Sequence, residues 1–546
     1  MEDSTVHKRA TDQFNRTGFE LENDGLLPVT QQDSEKSLTP RSTKNSSLAK
    51  IDRPAFIILV ILYLLQGVPV GLAFGSVPFM LKTKLSYSQV GVFSLAAYPY
   101  SMKLLWSPIV DAIYSPKLGR RRSWIIPIQT LSGITLIYLG YVINDLIEHP
   151  QDNLSTITFY FFVLVFFCAT QDIAVDGWAL TCLSPDSLSY ASTAQTIGIN
   201  TGYFSSFTVF LALSSPDFAN KYLRSVPLDV GLFTMGGYLR FWGWMYLFVT
   251  CLIFLVPEDP PHLAKQNQAK LAAEKLKREG HYNKSSSKLT NVLKNSSDVY
   301  LSMYEILKLP NIQTFVVILL ISKFGFQVNE AATNLKLLEK GLSKEDLSIT
   351  VLIDFPFEMV FGYYAGRWST GKKPLKPWLI GFAGRLFAAF LAQLVVFFFP
   401  KGEVSAGYFL MIILQHLLGS FMSTIQFVSL CAFHTKIADP SIGGTYMTTL
   451  NTLSNYGGTW PRLIIFYMID KLTISKCINA GVEKFMNSEL DKESCKSQGG
   501  SIEILRDGYY YTNFFCVGCG ILILMWVKRK VEYLQSLPSS AWKLRN

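Results

Sequence analysis

Apolar residues along this chain do not alternate with polar ones. They gather in blocks of about 20, the length at which a helix crosses the roughly 30 Å hydrocarbon layer of a bilayer. Twelve such blocks predict an all-α membrane protein with twelve transmembrane helices. In the first half they cover about 55–80, 91–110, 124–143, 156–182, 191–213 and 238–256. In the second half they cover about 311–330, 347–365, 378–399, 408–434, 446–469 and 508–527. The chain then divides into a polar tail (1–50), a first six-helix half (51–256), a charged central loop (257–310), a second six-helix half (311–527) containing a polar loop (470–507), and a second tail (528–546). The first tail is rich in Ser, Thr, Asp and Lys and poor in aromatics, so it reads as disordered. Gln268 to Glu279 reads as an exposed helix. The first apolar block is too long and lies too far in to be a cleavable signal peptide.

Composition narrows the class further. Of 546 residues, 49 % are hydrophobic and 16 % charged, against roughly 25 % charged in soluble proteins. A soluble multidomain enzyme, a nucleic-acid-binding protein and a disulfide scaffold are all poor readings, and the net charge of +10 needs another cause. With a cytoplasmic N-terminus, 31 of the 50 Lys and Arg fall in cytoplasmic segments and 14 in the opposite loops, so the positive-inside rule places both termini in the cytoplasm. On that orientation the sequon Asn153-Leu-Ser155 faces the far side, as a site of N-glycosylation. Those at Asn15, Asn45, Asn283 and Asn295 stay cytoplasmic. Cys477 and Cys495 share the far-side loop and form a disulfide if that compartment is oxidising; two free thiols are the other reading. The other six cysteines lie in or near spans and read as packing residues.

An internal repeat is visible. Tyr190-Ala-Ser-Thr193-Ala-Gln195-Thr196 matches Tyr446-Met-Thr-Thr449-Leu-Asn451-Thr452 at an offset of 256, continued by Gly202 and Gly458, and Pro99-Tyr-Ser-Met102 resembles Pro356-Phe-Glu-Met359 at 257. Two parallel six-helix halves resemble the organisation of the major facilitator fold. Between spans two and three, Asp111 followed by Gly119-Arg120-Arg121-Arg122 is similar to the gating loop of that superfamily, in which basic residues bond helix ends and the carboxylate.

Ionisable groups inside the spans are costly, at least about 2.5–3.5 kcal/mol at the bilayer centre, and so point to function. The basic ones are Lys103, Arg240, Lys323, Arg385 and Arg462; the acidic ones are Asp172, Asp176, Asp354 and Glu358, in two i, i+4 pairs that each occupy one helix face. The acidic residues are candidates for coupling or for charge pairing. Five cations against four anions leave a positive surplus, which suits an anionic substrate. Lys103, Lys323, Arg385 and Arg462 are the candidate contacts for it. Tyr98, Trp178, Tyr446, Asn451, Asn455 and Trp460 add the stacking faces and amides that a purine nucleotide would use. His416 and His434 read as structural. No Walker loop, zinc spacing or Gly-x-Ser-x-Gly elbow occurs, so no cofactor, metal or catalytic residue is assigned and an enzyme is disfavoured. A membrane-bound transferase would have only those two histidines to work with.

Six stretches carry a more specific likeness: Gln66-Gly-Val-Pro-Val-Gly-Leu-Ala73, Lys103-Leu-Leu-Trp-Ser-Pro-Ile-Val-Asp111, Ala169-Thr-Gln-Asp-Ile-Ala-Val-Asp-Gly-Trp-Ala-Leu180, Asn220-Lys-Tyr-Leu-Arg224, Gly443-Gly-Thr-Tyr-Met447 and Ser454-Asn-Tyr-Gly-Gly-Thr-Trp-Pro461. Together they closely resemble the eukaryotic acetyl-coenzyme A transporters, from about residue 51 to beyond Asp507-Gly-Tyr-Tyr510. The Gln171-Asp-x-x-x-Asp176 element is also similar to bacterial muropeptide permeases. The resemblance implies a multi-pass carrier in the endoplasmic reticulum membrane that moves cytosolic acetyl-CoA into the lumen to supply acetylation, by alternating access. It implies acetyl-CoA as substrate and leaves open CoA as the exchange product, proton coupling through Asp172 or Asp176, and a homodimer; no nucleic acid is expected. Another anionic nucleotide, peptide or sugar conjugate is the alternative cargo. Glu22-Asn-Asp-Gly-Leu26-Leu27 is similar to a di-leucine signal, which would direct the chain to endosomes or lysosomes.

Overall fold

A computed structural model describes residues 49–256, 297 and 300–543, except 116–117, 185–186, 188–189, 370–372, 401, 438–442, 480–481, 487–490, 492–493 and 496. The expected tail up to residue 48, the di-leucine motif, the helix at 268–279 and the sequons at Asn15, Asn45, Asn283 and Asn295 lie outside the described residues.

Among the described residues, twelve long helical segments follow one another, with a short helix, Pro216–Tyr222, between the fifth and sixth and another helical stretch at 300–308. The twelve are α1 (Lys50–Lys82), α2 (87–112), α3 (Arg122–Glu148), α4 (Pro150–Cys182), α5 (190–213), α6 (Met235–Leu255), α7 (Pro310–Glu339), α8 (Lys344–Ser369), α9 (Leu375–Phe397), α10 (Ala406–Ile437), α11 (Gly443–Leu472) and α12 (Gly508–Ser536). Among the described residues, nine of them are long and apolar enough to cross a membrane; α2, α8 and α11 are not in that set. The reason differs for each. α2 is broken into short pieces, Tyr87–Phe93, Tyr98–Met102 and Ser107–Ala112, with Pro99 and Pro108 opening the second and third. α8 carries Asp354, Glu358 and Arg367, while α11 is rich in Thr and Asn and carries Arg462 and Asp470. α2 and α11 line the central cavity described below, and α8 a second one.

Helix pairing follows close-packed seams: α1 on α5, α3 on α6, α9 on α10 and α8 on α10. Along the first, Gly67, Gly198 and Gly202 bring the two backbones into contact, and a Cβ on Gly202 would stand 2.1 Å from the Leu64 carbonyl oxygen. The glycine-rich stretch of α1 is therefore a packing surface. A π-helical turn at Leu72–Ser76 interrupts it, facing a second one at Ser205–Val209 in α5.

Each helix reverses the direction of the last, which defines two faces. On one, Asp52 at the start of α1 accepts from the Ser184 hydroxyl beyond α4, and the chain end folds back onto α7 and α11. There Trp542, 2 % exposed, packs against Phe315 and Phe433, its carbonyl accepts from Tyr446, and Asn311 donates to Ala541. The final helix thus runs past the expected boundary at 527, and a short 3-10 turn, Ser539–Trp542, follows it. The opposite face carries a fold within the expected loop 470–507 that the sequence did not disclose. Three antiparallel strands, β1 (Ile474–Asn479), β2 (Val482–Met486) and β3 (Ser501–Arg506), pair in the order β2-β1-β3. Cys477 and Cys495 are disulfide-bonded beneath it, and Gly500 is required there, since a Cβ would meet both sulfurs at 2.7 and 2.8 Å.

Two hydrophobic cores result. The larger one runs from α1–α6 into the second half through residues such as Leu335, Val396, Phe466 and Tyr509, most of them towards the loop-bearing face. The smaller, around Phe315, Trp378, Tyr446, Val531 and Trp542, has no member in the first half.

Candidate functional site

The charges inside the helices separate into committed and uncommitted ones. Asp172 is fully buried in α4 and ion-pairs with Lys103, which projects from the 3-10 turn where α2 is broken. Four residues on, Asp176 accepts from the Tyr63 hydroxyl at 2.7 Å and from the Gln195 amide at 3.0 Å. This cluster ties α1, α2, α4 and α5 together. Lys103 is therefore neutralised within the first half, which differs from its expected availability to a substrate. Arg385 of α9 is also taken: it pairs with Glu330 of α7, donates to Gln426 at 2.5 Å and lies 3.7 Å over the Phe326 ring. Arg240 lies 4.9 Å over the Tyr141 ring, away from both cavities.

Lys323 and Arg462 are different. Both line a cavity of about 460 Å³ between the two halves, bounded by Phe74 of α1, Tyr100 and Ser101 of α2 and Tyr203 of α5 on one side, and by α7 and α11 on the other. Among the described residues neither has a carboxylate within ion-pairing distance. The Arg462 Nε is buried without a hydrogen-bond partner, its guanidinium 5.6 Å from the Phe74 ring. Lys323 lies along Gly458, where a Cβ would come within 3.3 Å of its ammonium; a side chain there would displace it. Across the cavity Ser101 and Thr459 share a hydrogen bond of 2.7 Å. Burying two cations without counter-ions is unfavourable unless an anion completes the site.

The remaining expected contacts divide likewise. Asn455 lines this cavity. Tyr98 stands beside Tyr456 with ring centroids 6.1 Å apart, and Trp460 donates to the Leu320 carbonyl at 2.9 Å and stacks on Phe324. Trp178 and Tyr446 are buried in the cores, and Asn451 is bonded to His434 at 2.7 Å; these three line neither cavity. Asp354 lies 3.4 Å from His416 and, with Glu358, lines a second cavity in the later half. Of the expected gating loop, Gly119 adopts φ +96°, accessible mainly to glycine, and the Arg121 guanidinium packs where a Cβ on Gly177 would be, beside Asp176. Arg120 is half-buried, and the Asp111 side chain lies outside the described residues.

A lock at the loop-bearing face was not foreseen. Asp470 of α11 accepts from the Tyr87 and Ser88 backbone N–H groups at 3.1 and 2.8 Å and from the Ser88 hydroxyl at 2.5 Å. Glu339 takes the Tyr87 hydroxyl at 2.9 Å and the Lys336 ammonium at 2.8 Å, and Lys336 also reaches Asp507 at 2.5 Å. These residues fall in segments assigned to loops, and only Tyr87 and Ser88 belong to the first half, so spacing could not pair them. These bonds tie the two halves together on this face. Asp470→Ala is expected to shift the protein towards a form open there by about 1.5–3 kcal/mol, the worth of hydrogen bonds to a charged group. Spin labels at the exposed positions Thr83 and Lys340 report it as a longer distance population; an unchanged distribution excludes Asp470 as the lock.

Residues 55–375 and 370–544 match the sequence profile of the family described as acetyl-coenzyme A transporter 1. An uncharacterized membrane protein of Saccharomyces cerevisiae is 48 % identical over 555 residues, covering 92 % of this chain and 99 % of its own. The anhydromuropeptide permease of Escherichia coli is 28 % identical over 151 residues, 28 % of this chain and 30 % of its own. Among solved structures, the nucleoside transporter NupG superimposes with a TM-score of 0.55 at 11 % identity, over 89 % of this chain and 100 % of that one. A bacterial homolog of the human lysosomal transporter Spinster, inward-facing and unoccupied, gives 0.55 at 12 %, over 91 % and 98 %. At such identities the likeness is one of fold alone.

Proposed function

From the premise that the chain belongs to the acetyl-coenzyme A transporter family, a family of carriers with the major facilitator fold and not of enzymes, we propose that it carries acetyl-CoA across the endoplasmic reticulum membrane from cytosol to lumen. The observation that carries this reading is the uncommitted pair Lys323 and Arg462, set in a cavity between the halves with Tyr100, Tyr203 and Asn455 about them. Acetyl-CoA presents phosphates to the cations and an adenine to the rings and amide. Rocking of the halves about this site would expose it alternately to each side. The loop-bearing face is then lumenal, which agrees with a disulfide at Cys477 and Cys495 and would put the sequon at Asn153 on the lumenal side as well.

Uptake of labelled acetyl-CoA into proteoliposomes tests the proposal. Lys323→Ala and Arg462→Ala are each expected to raise the apparent KM about tenfold to hundredfold, the loss of one charge-assisted contact. No uptake by the parent protein overturns the cargo; unaffected variants overturn the site. The segment of likeness to an anhydromuropeptide permease favours a sugar–peptide conjugate as the second reading. Competition by such a conjugate separates the two.

A further inference from the structure

A second cavity of about 540 Å³ lies within the later half, among α7, α8, α9 and α10. Its titratable lining comes from every one of these helices: Glu330 from α7, Asp354 and Glu358 from α8, Arg385 from α9 and His416 from α10. Three carboxylates thus share one guanidinium, and Arg385 is committed to Glu330. The deficit calls for a further positive charge. The His416 Nε2 stands 3.4 Å from Asp354 Oδ2, while Asp354 Oδ1 is buried without a hydrogen-bond partner. The imidazole of His416 beside this carboxylate is a group that can take up that charge as a proton.

Glu330 lines both this cavity and the central one that holds Lys323 and Arg462. We propose that His416 and Asp354 form a proton-binding site whose occupancy is coupled through Glu330 to anion binding in the central cavity, so that the carrier moves its cargo together with a proton. Without the proton, the surplus of carboxylates disfavours an anion arriving beside Glu330; with it, that repulsion falls. Coupling of this kind is reciprocal, so the anion favours the proton by the same factor. The proposal rests on the reading that the central cavity binds an anionic cargo. It places coupling at His416, not at Asp172, which is already neutralised by Lys103.

The test uses the full-length protein in proteoliposomes with labelled acetyl-CoA, comparing accumulation driven by an inward proton gradient with exchange at equal pH. A gradient should raise accumulation by the parent protein, and the ratio of accumulation to exchange should fall about tenfold in Asp354→Asn and in His416→Gln, within the usual range of coupling between sites. Transport that is indifferent to the gradient overturns the coupling and leaves the carrier reading intact. If the parent carries no acetyl-CoA, the cargo reading fails, and histidine-ring NMR of the protein in nanodiscs decides the pair by itself. Asp354→Asn should then move the His416 ring nitrogen resonances, whose Nε2 lies 3.4 Å from the carboxylate. Unmoved resonances overturn the pair whatever the cargo.

Discussion

Lys103→Ala is expected to destabilise the protein by about 3–5 kcal/mol, because it strands the fully buried Asp172 carboxylate without its cation. Asp172 Oδ1 already lacks a hydrogen-bond partner, so no second donor stands ready to compensate. The loss comes from the orphaned charge more than from the pair itself. Lys103→Met combined with Asp172→Asn, which removes both charges, should therefore recover most of the stability. Thermal unfolding of the purified protein in micelles compares the three. Equal losses in the single and double variants would exclude the ion pair as the cause, and a single variant as stable as the parent would show that water reaches Asp172 after all.

Gly202→Leu is expected to cost about 3 kcal/mol or more, at the upper end of overpacking effects. The obstacle is backbone and cannot rotate away: the new Cβ would meet the Leu64 carbonyl oxygen at 2.1 Å and the Gly67 Cα at 2.9 Å. Relief requires α1 and α5 to separate, and that movement pulls on the bonds that Asp176 makes to Tyr63 and Gln195 along the same seam. Heat stability and uptake should fall together. Gly407→Leu, at a position with open space within 4 Å of the added Cβ, is the control and should leave both near the parent values.

The spans were legible because each is a long apolar run with polar ends, and that signal needs no partner. The helices that least resemble such runs, α2, α8 and α11, were still found, since even broken or polar segments kept enough apolar neighbours. The site was legible in part. Counting intramembrane charges pointed to a positive surplus, but the count left out Glu330, at the very edge of its span, which neutralises Arg385. What makes the cavity cationic is placement: Lys103 finds Asp172 across 69 positions of sequence, whereas Lys323 and Arg462 find no carboxylate. The repeat held a sharper clue. At the offset of 256 that relates Gly202 to Gly458, Gly67 corresponds to Lys323. The earlier half uses that position to press two backbones together, and the later half keeps the facing glycine but fills the space with an ammonium. The strands at 474–506 left too short a pattern to read, and the lock at Asp470 joins segments nearly four hundred residues apart, which no local periodicity records.

The docking of Trp542 against Phe315 and Phe433 has a bearing on biosynthesis. A chain made from its N-terminus outward presents the earlier half to the membrane complete, free to assemble while translation continues. The later half cannot close its own core until Trp542, which lies beyond α12, has been made. Until then Asn311 and the Tyr446 hydroxyl lack the acceptors that Ala541 and Trp542 supply. Premature stop codons anywhere upstream, including those that spare every membrane helix, should thus yield a carrier whose second half is recognised as unfinished and degraded.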